Sequence, residues 1–339
     1  MLKKIIIPGA PLLIAISGIV YFIYLLQPVS GETAEKTLII PPQTGFGKIA
    51  DDVYTLHLVR SETVFKIYAA LSGNANKLKP GRYALSPSFS APKIIETLSA
   101  GPQEISMTII PGITLKEIDD KLNDLGIIGK NSLMEFRIDN LKNRYRFLEK
   151  AQSLEGFLLP DTYNFFSDSE TETVIGKFLD NFEQKIIALA PHPSLKGGGL
   201  TTTDDLLRLL NIASLLEKEI PFDDERQIAA GILEKRLESG MTLQIDATIV
   251  YAKCSGRFFN CPSLKENDYK IDSPYNTYLH AGLPPAPISN PSAEAIKAAA
   301  NPIASSYWYY LSDPKTKKTI FAKTLDEHNQ NRVKYLLNK

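Results

Sequence analysis

The sequence has no net charge, few cysteines and few histidines. Its 339 residues include 38 lysines and arginines against 38 aspartates and glutamates. A protein dedicated to nucleic acid usually has a basic surface, so the balanced charge argues against that class. Hydrophobic residues at 44% and charged residues at 22% are ordinary globular values and exclude a disordered or collagen-like chain. The length suffices for two or three domains, each with its own core.

Motifs that would indicate a metal, nucleotide or serine-hydrolase site are also missing. No HExxH, GxSxG, P-loop or GxGxxG pattern occurs, so metalloprotease, serine hydrolase, NTPase and dehydrogenase functions have no basis in the sequence. The four histidines are scattered and do not combine with a cysteine pair at zinc-ligand spacing: His57, His192, His280 and His328. Neither a metal nor an organic cofactor is implied.

The only two cysteines are Cys254 and Cys261, seven positions apart. This spacing suits a disulfide that closes a small loop or a hairpin tip, and an oxidising compartment would permit the bond. Two unpaired thiols remain the alternative, because the sequence does not show the geometry that a disulfide requires.

The longest uncharged run lies near the amino terminus. Residues 5–26 contain no charged side chain and are rich in Ile, Leu, Val, Tyr and Phe. As a helix this run is about 33 Å long, enough to cross a bilayer core of about 30 Å. The apolar region of a cleavable signal peptide is usually shorter, about 7–15 residues. We therefore predict a transmembrane helix within residues 1–27, followed by a polar tether at 28–36.

The charges next to this run indicate its orientation. Lys3 and Lys4 precede it, and the next basic residue, Lys36, follows Glu32 and Glu35. The positive-inside rule then places the amino terminus in the cytoplasm and the remainder of the chain outside. We expect a single-pass, anchored extracytoplasmic protein.

Residues 37–104 are predicted to form a small α/β module. Apolar spacing and turn residues indicate these elements: a strand at 38–40, helices at 45–56 and after an N-cap at Ser61, a turn into a strand at 79–83, and a short helix at 93–98. Small strand–helix–helix–strand units resemble LysM-like modules, which bind glycan chains. A spacer domain without a ligand is the alternative.

A helix predicted at 203–220 contains the strongest candidate for chemistry. On a helical wheel Glu217 lies among the apolar residues, near Leu210 and Ala213, whereas Glu219 projects from the other side. A carboxyl group in apolar surroundings has a raised pKa, which suits a general acid at neutral pH. The alternative is a carboxylate at the open end of the apolar stripe, paired with Arg or Lys.

Polar and aromatic residues follow this helix. A second helix is predicted at 225–239, ended by Gly240, and residues 242–248 alternate in the manner of a strand that presents Gln244 and Asp246 on one face. The loops at 273–278 and 282–285 combine tyrosines with amide and hydroxyl groups. Such loops suit stacking on sugar rings, although an ordinary turn is the alternative for each.

Six segments in this order resemble the membrane-bound endolytic murein transglycosylases. They are EGFLLPDT at 155–162, ASLLEKE at 213–219, RLESGMTLQID at 236–246, YNTY at 275–278, GLPP at 282–285 and AAANP at 298–302, with Phe321, His328 and Asn329 completing the match. The order of spanning helix, LysM-like module and catalytic domain also agrees. The resemblance implies an α+β fold, with a catalytic domain at 105–339, and a place in the bacterial inner membrane, with that domain in the periplasm.

The resemblance further implies a lyase that cleaves the β-1,4 bond between N-acetylmuramic acid and N-acetylglucosamine inside nascent peptidoglycan strands and so ends their growth. Glu217 would be the catalytic residue. One carboxylate suffices if it protonates the leaving oxygen and then accepts the proton of the muramoyl 6-hydroxyl, which closes a 1,6-anhydro ring. Penicillin-binding synthases are the implied partners.

Substrate-binding roles are expected for residues around the catalytic helix: Glu155, Gln244, Asp246, Tyr275, Asn276, Thr277 and Tyr278. Asp246 leaves a hydrolytic muramidase open, since glycosidases that use water ordinarily need a second carboxylate. A non-enzymatic, peptidoglycan-binding scaffold is the other alternative.

Overall fold

A computed structural model describes residues 9–187 and 202–337, with side chains from residue 13 onward. The chain divides into two compact units, Met1–Glu104 and Ile105–Lys339. Both combine helices with short two-stranded sheets, which confirms the α+β class. The start of the predicted transmembrane run, at residues 5–8, and the glycine-rich segment at 191–200 lie outside the described residues.

The first unit has the predicted order of elements after its amino-terminal helix. Its elements are α1 (Gly9–Leu26), β1 (Lys36–Ile40), α2 (Phe46–Thr55), α3 (Glu62–Leu71), β2 (Gly81–Leu85) and α4 (Ala91–Ala100). The two strands pair antiparallel, with Leu38 opposite Tyr83. Ser61 caps α3 through the N–H of Val64, as predicted. Local signals were therefore sufficient to define this unit's elements.

The carboxyl-terminal part of α1 packs onto the first unit, while its earlier residues do not. Leu26 is buried in the unit's core, and Phe22 and Leu25 contact that core. The large hydrophobic side chains from Leu13 to Tyr24 are mostly exposed. Across the described residues, no helix combines the length and the apolar character needed to cross a membrane.

The segment after α1 is bound to the first unit. The N–H groups of Val29 and Ser30 donate to the carbonyl oxygen of Pro87 at 3.1 and 3.3 Å. Ser86 Oγ donates to the carbonyl oxygen of Glu32 at 3.0 Å. Within the predicted polar tether, residues 29, 30 and 32 are therefore hydrogen-bonded to the unit through their backbone groups.

Arg60 joins the end of α1 to the start of α3. Its Nε and Nη2 donate to the carbonyl oxygen of Pro28 at 3.0 and 2.6 Å, and its Nη1 donates to Tyr24 Oη at 3.0 Å. The guanidinium also lies over the Tyr24 ring, 4.8 Å from the ring centroid. One side chain thus connects the helix, the segment after it and the body of the unit.

The second unit contains the remaining helices and sheets. In chain order they are β3 (Glu104–Thr108), α5 (Leu115–Asp124), β4 (Thr162–Phe166), α6 (Thr171–Phe182), α7 (Thr203–Glu219), α8 (Asp223–Glu238), α9 (Asp246–Lys253), α10 (Ala293–Ala300), β5 (Tyr309–Ser312), β6 (Thr319–Ala322) and α11 (Leu325–Arg332). Short 3-10 turns occur at Ile138–Leu141, Arg146–Leu148 and Glu266–Lys270, and π-helical turns at Glu183–Ile187 and Val333–Leu337. The strands pair as β3 with β4 and β5 with β6.

Helix α7 lies at the centre of the second unit. It begins at a capping box in which Thr202 Oγ1 accepts the N–H of Asp205, close to the predicted start. Every residue from Leu209 to Leu216 is buried, and α8, α9 and α10 all pack against the helix. This stretch has no face toward solvent. A helical wheel with one apolar and one polar side therefore does not predict the surroundings of the residues at the carboxyl-terminal end of α7.

The strand predicted at 242–248 is wrong. Residues 241–245 have no regular structure, and α9 begins at Asp246. Gln244 adopts a left-handed conformation with φ of 52°, which interrupts an extended chain. The N–H of Ile245 donates to Thr277 Oγ1 at 3.0 Å instead of to a partner strand. Gly240, with φ of 70°, does end α8 as predicted.

Candidate active site

The end of α7 places two glutamates in different surroundings. Successive helical residues are rotated by about 100°, so Glu217 and Glu219 point in directions about 160° apart around the axis. Glu217 faces α8 and α10, whereas Glu219 faces the start of α9.

Glu217 is held in a buried ion pair. Its Oε1 accepts a hydrogen bond from Arg226 Nη2 at 2.9 Å, and its Oε2 accepts bonds from the N–H of Ser292, at 2.8 Å, and from Ser292 Oγ. The side chain is only 6% exposed. The predicted apolar surroundings are therefore wrong, and the arginine-paired alternative describes the residue. The pair connects α7, α8 and α10.

Glu219 has no such partner. Within the described residues it forms no ion pair, and its Oε1 accepts only the N–H of Ala247, at 3.4 Å. Burial first, and then the negative charge of Asp246, raise the pKa of Glu219 from 4.5 to about 7, while the Ala247 N–H opposes the rise. A carboxyl group in this state can release and regain a proton near neutral pH.

Asp246 is the second carboxylate of this cluster, and two tyrosines hold it. Tyr278 Oη donates to its Oδ1 at 2.5 Å, and Tyr269 Oη donates to its Oδ2 at 3.3 Å. The two rings pack edge to face, 4.9 Å between centroids. Asp246 itself is exposed. Of the predicted site residues, Asp246 and Tyr278 therefore lie together beside Glu219.

Strand β5 forms another side of the cluster. Burial raises the pKa of Tyr310, and the charges of Glu219 and Asp246 add to that rise. Arg236 is close by, but its Nε and Nη1 donate to backbone carbonyl oxygens, those of Trp308 and Leu243, at 2.8 and 2.7 Å. These hydrogen bonds of Arg236 therefore go to the backbone and not to Glu219 or Asp246. We call Glu219, Asp246, Tyr269, Tyr278 and Tyr310 the acid–tyrosine cluster.

Three predicted binding residues support this cluster or lie beside it. Asn276 and Thr277 are buried: Asn276 Nδ2 donates to the carbonyl oxygen of Tyr269 at 3.0 Å, and Thr277 Oγ1 accepts the N–H of Ile245 at 3.0 Å. These bonds position the residues that flank Asp246. Gln244 is exposed, and its N–H donates to the carbonyl oxygen of Thr277 at 3.1 Å.

Glu155 lies away from the cluster, inside the unit. It is 3% exposed, and its oxygens accept bonds from the N–H of Leu115 (2.9 Å), from Asn290 Nδ2 (3.1 Å) and from Tyr251 Oη (3.1 Å). Burial raises its pKa to about 8. Tyr275 belongs to this group, since its ring lies 4.9 Å from that of Tyr251. A substrate-binding role for Glu155 does not fit a carboxyl group enclosed in this way.

Sequence reasoning missed Glu219, Tyr269 and Tyr310. Glu219 stands in the very segment that was singled out, but the helical wheel placed it on the solvent side. Tyr269 and Tyr310 lie in a short 3-10 turn and a four-residue strand, where no local pattern marks them.

The two cysteines form a disulfide, with Cα atoms 6.0 Å apart, which confirms the predicted pairing of Cys254 with Cys261. The bond closes a loop directly after α9. Among residues 9–187 and 202–337, no three or more histidine, cysteine or acidic side chains are grouped so that they could hold a metal ion.

Comparison with known proteins shows the family of this chain. Residues 38–334 match the YceG-like family, most of the chain. The chain belongs to the YceG-like family. A solved YceG-like protein from Listeria monocytogenes has a similar structure, with 28% sequence identity and a TM-score of 0.58, covering 88% of this chain and 99% of that one.

Curated relatives of this YceG-like chain are named endolytic murein transglycosylase. One from Streptococcus pneumoniae serotype 2 is 30% identical over 353 positions, which cover 95% of this chain and 62% of the relative. One from Bacillus subtilis is 29% identical over 93% of this chain and 89% of its own length. The chain thus spans about 62% of the length of the pneumococcal relative.

Proposed function

We propose that this YceG-like protein is an endolytic murein transglycosylase, a lyase that cuts β-1,4 bonds within peptidoglycan glycan strands. The relatives' names support the reaction class. The observation that carries the proposal is the acid–tyrosine cluster, in which Glu219 has a pKa of about 7 and no paired cation among the described residues. Tyrosine rings and hydroxyls beside it suit a sugar chain.

Glu219, rather than Glu217, is the proposed general acid. Glu217 already accepts three hydrogen bonds, one of them from Arg226, so both of its carboxylate oxygens are occupied within the fold. Glu219 can hold a proton near neutral pH and donate it to the glycosidic oxygen. The bond between C1 of muramic acid and that oxygen then breaks, and the next sugar leaves with the proton.

Asp246 has the position to stabilise positive charge at the sugar ring in this step. Its carboxylate lies beside Glu219 and is fixed by two tyrosine hydroxyls, so little rearrangement is needed as charge develops. In the second step Glu219 accepts the proton of the muramoyl 6-hydroxyl, whose oxygen attacks C1 and closes the 1,6-anhydro ring. No water is consumed, and Glu219 regains its proton.

Hydrolysis is the second candidate, and the same pair of carboxylates favours it. A glycosidase that uses water needs a second acidic residue as base or nucleophile, and Asp246 lies close enough to Glu219 to raise its pKa. In that case water would replace the 6-hydroxyl, and the product would be a reducing end.

Mass spectrometry of digested strands tests the proposal. Purified uncross-linked glycan strands are incubated with the full chain and with Glu219→Gln, and the new ends are identified by mass. We expect internal cuts with 1,6-anhydro ends from the wild type and none from the variant. Reducing ends would select hydrolysis, and a wild type that leaves several glycan preparations intact would overturn the enzymatic function.

We also infer that the amino-terminal segment anchors the protein in a membrane, with the second unit outside the cytoplasm. The uncharged run at residues 5–26 and the exposed hydrophobic side chains of α1 support this location. The order of β1, α2, α3 and β2 supports a LysM-like first unit. Fractionation tests the location: the full chain should sediment with membranes and resist carbonate extraction.

A further inference from the structure

A second surface site lies at the opposite end of α9 from the acid–tyrosine cluster. It is a groove of about 1270 Å³ between the β3–α5 turn, helix α5 and the disulfide loop. None of the five cluster residues lines it. We call it the α9 groove.

Helix α9 sets the spacing between the two sites. The N–H of Ala247, at its first turn, bonds to Glu219, whereas Cys254, directly after its last residue, lines the groove. The helix has 8 residues, a length of about 12 Å. An extended peptide rises about 3.3 Å per residue, so a chain of about four residues reaches from one site to the other.

The groove offers a peptide both apolar surface and charge of each sign. Phe259 is 77% exposed and Ile110 is 58% exposed, so the groove presents two large hydrophobic side chains to a ligand. Lys130 and Asp124 also line the groove and are exposed, and neither is paired within the described part of the chain. An amine and a carboxylate on one ligand could therefore both find a partner.

The walls of the groove are already held in place. Glu117 Oε1 accepts the N–H groups of Phe258 and Phe259 at 2.7 and 2.6 Å, and Arg257 Nε donates to Asp120 Oδ2 at 2.9 Å. The disulfide closes the same loop. A ligand would therefore meet a preformed surface and would not have to order the loop on binding.

A second fixed cation, after Arg257, lies on the side of the groove nearest α7. Lys218 donates to the carbonyl oxygen of Gly112 at 3.1 Å and lies over the Phe258 ring, 3.6 Å from its centroid. Lys218 adjoins Glu219 in the chain, so the groove begins beside the turn of α7 that ends in the proposed acid.

We propose that the α9 groove binds the stem peptide of the glycan strand whose sugar lies at Glu219. This inference rests on the proposed function. The stem peptide is a short chain with free carboxylates, small apolar residues and a side-chain amine, which matches Lys130, Phe259 and Asp124 in turn. A bare sugar has neither the charges nor the apolar side chains that this surface offers. The α9 groove thereby selects strands that still have their peptides.

Titration of a synthetic stem tetrapeptide into the full chain tests the binding directly. We expect binding to the wild type and a loss of at least about tenfold in affinity in the double variant Phe259→Ala, Lys130→Glu. Lys297→Glu is the matched control, because Lys297 is an exposed lysine on α10 outside the groove. No heat of binding to the wild type, or equal binding to the double variant, would overturn the inference.

Cleavage assays separate this inference from the proposed function. The same proteins are given strands with peptides and strands stripped by an amidase, and kcat/KM is compared. We expect the wild type to prefer peptide-bearing strands, and the double variant to lose that preference with its rate on stripped strands unchanged. Peptide binding without cleavage of either kind of strand would support the groove as a peptide site and contradict the enzymatic function. Equal cleavage of both strands without peptide binding would do the reverse.

Discussion

Glu217 and Glu219 are two residues apart on one helix, yet the fold uses them in opposite ways. Glu217 lies between α8 and α10 and is neutralised by Arg226. Glu219 lies between α9 and β5, close to a second acid and without a cation among the described residues. The first arrangement stabilises a charge, and the second makes a proton transferable. The contrast shows that the neighbouring element, not the helix itself, decides what a glutamate does.

Replacement of each glutamate by glutamine should give the largest difference between the two residues. We expect Glu219→Gln to lower the rate of strand cleavage by about 100- to 10,000-fold, because the proton donor is lost while size and fold are kept. Release of soluble fragments, followed by chromatography, measures the rate, and circular dichroism checks the fold. Glu217→Gln should chiefly lower the melting temperature. A Glu219→Gln protein that cuts at the wild-type rate would show that another group is the acid.

Removal of the arginine tests the structural side of the pair. Arg226→Met leaves the carboxylate of Glu217 buried without its cation, so we expect the free energy of unfolding to fall by about 3–5 kcal/mol. Urea denaturation measures it. Arg208→Met is the control, because the Arg208–Glu234 pair is 45% and 25% exposed and should contribute about 1 kcal/mol or less. Equal losses in the two variants would contradict a special role for the Glu217 pair.

The pH dependence of kcat/KM should test whether Glu219 acts as the general acid. Its acid form is needed, so kcat/KM should fall as the pH rises through about 7. Asp246→Asn removes the negative charge that helps raise the pKa of Glu219, and the fall should therefore move to lower pH. The rate should also fall at every pH, because the charge that stabilises the sugar ring is lost, and an unmoved pH midpoint would contradict the influence of Asp246 on Glu219.

The same shift has a consequence for stability, with a definite sign. The pKa of Glu219 is raised in the folded protein from 4.5 to about 7, so the stability that comes from its protonation is complete below about 4.5 and is lost as the pH rises through about 7. Glu219→Gln should remove this loss. Denaturation of both proteins at pH values on either side of this range measures it, and an equal pH dependence in the two would contradict the assignment.

The smallest effect is expected when the hydrogen bond from Tyr278 to Asp246 is removed. Tyr278→Phe deletes the 2.5 Å hydrogen bond to Asp246 but keeps the ring, so we expect about a fivefold fall in kcat. Tyr275→Phe is the control, because Tyr275 packs on Tyr251, away from Asp246. The ratio of the two kcat values decides whether the hydroxyl positions the carboxylate, and a ratio near one would count against it.

The elements of the first unit could be predicted because their signals are local. Ser61 and Ser90 each cap the helix that follows, and the alternating apolar residues of β1 face the core. In the second unit, alternation at 242–248 misled. Leu243 and Ile245 are buried and Gln244 is exposed, as in a strand, but the left-handed Gln244 turns the chain into α9. The pattern therefore predicted the faces correctly and the backbone wrongly.

The candidate site could be predicted only in part, for a different reason. The segment with both glutamates and the two residues Asp246 and Tyr278 were found from composition and spacing. The choice between Glu217 and Glu219 depends on Arg226 and Asp246, which reach α7 through tertiary packing. A helical wheel assumes one buried side, and α7 is enclosed by helices around most of its circumference.

The contacts of Arg60 remove a freedom of movement from the first unit. A flexible segment of nine residues, such as 28–36, would let its ends separate by about 15–18 Å in any direction. Here the carbonyl oxygen of Pro28 and the ring of Tyr24 both contact Arg60. The chain therefore has no flexible hinge at the carboxyl-terminal end of α1. When α1 tilts or rotates, the rest of the first unit should therefore move with it as one rigid body.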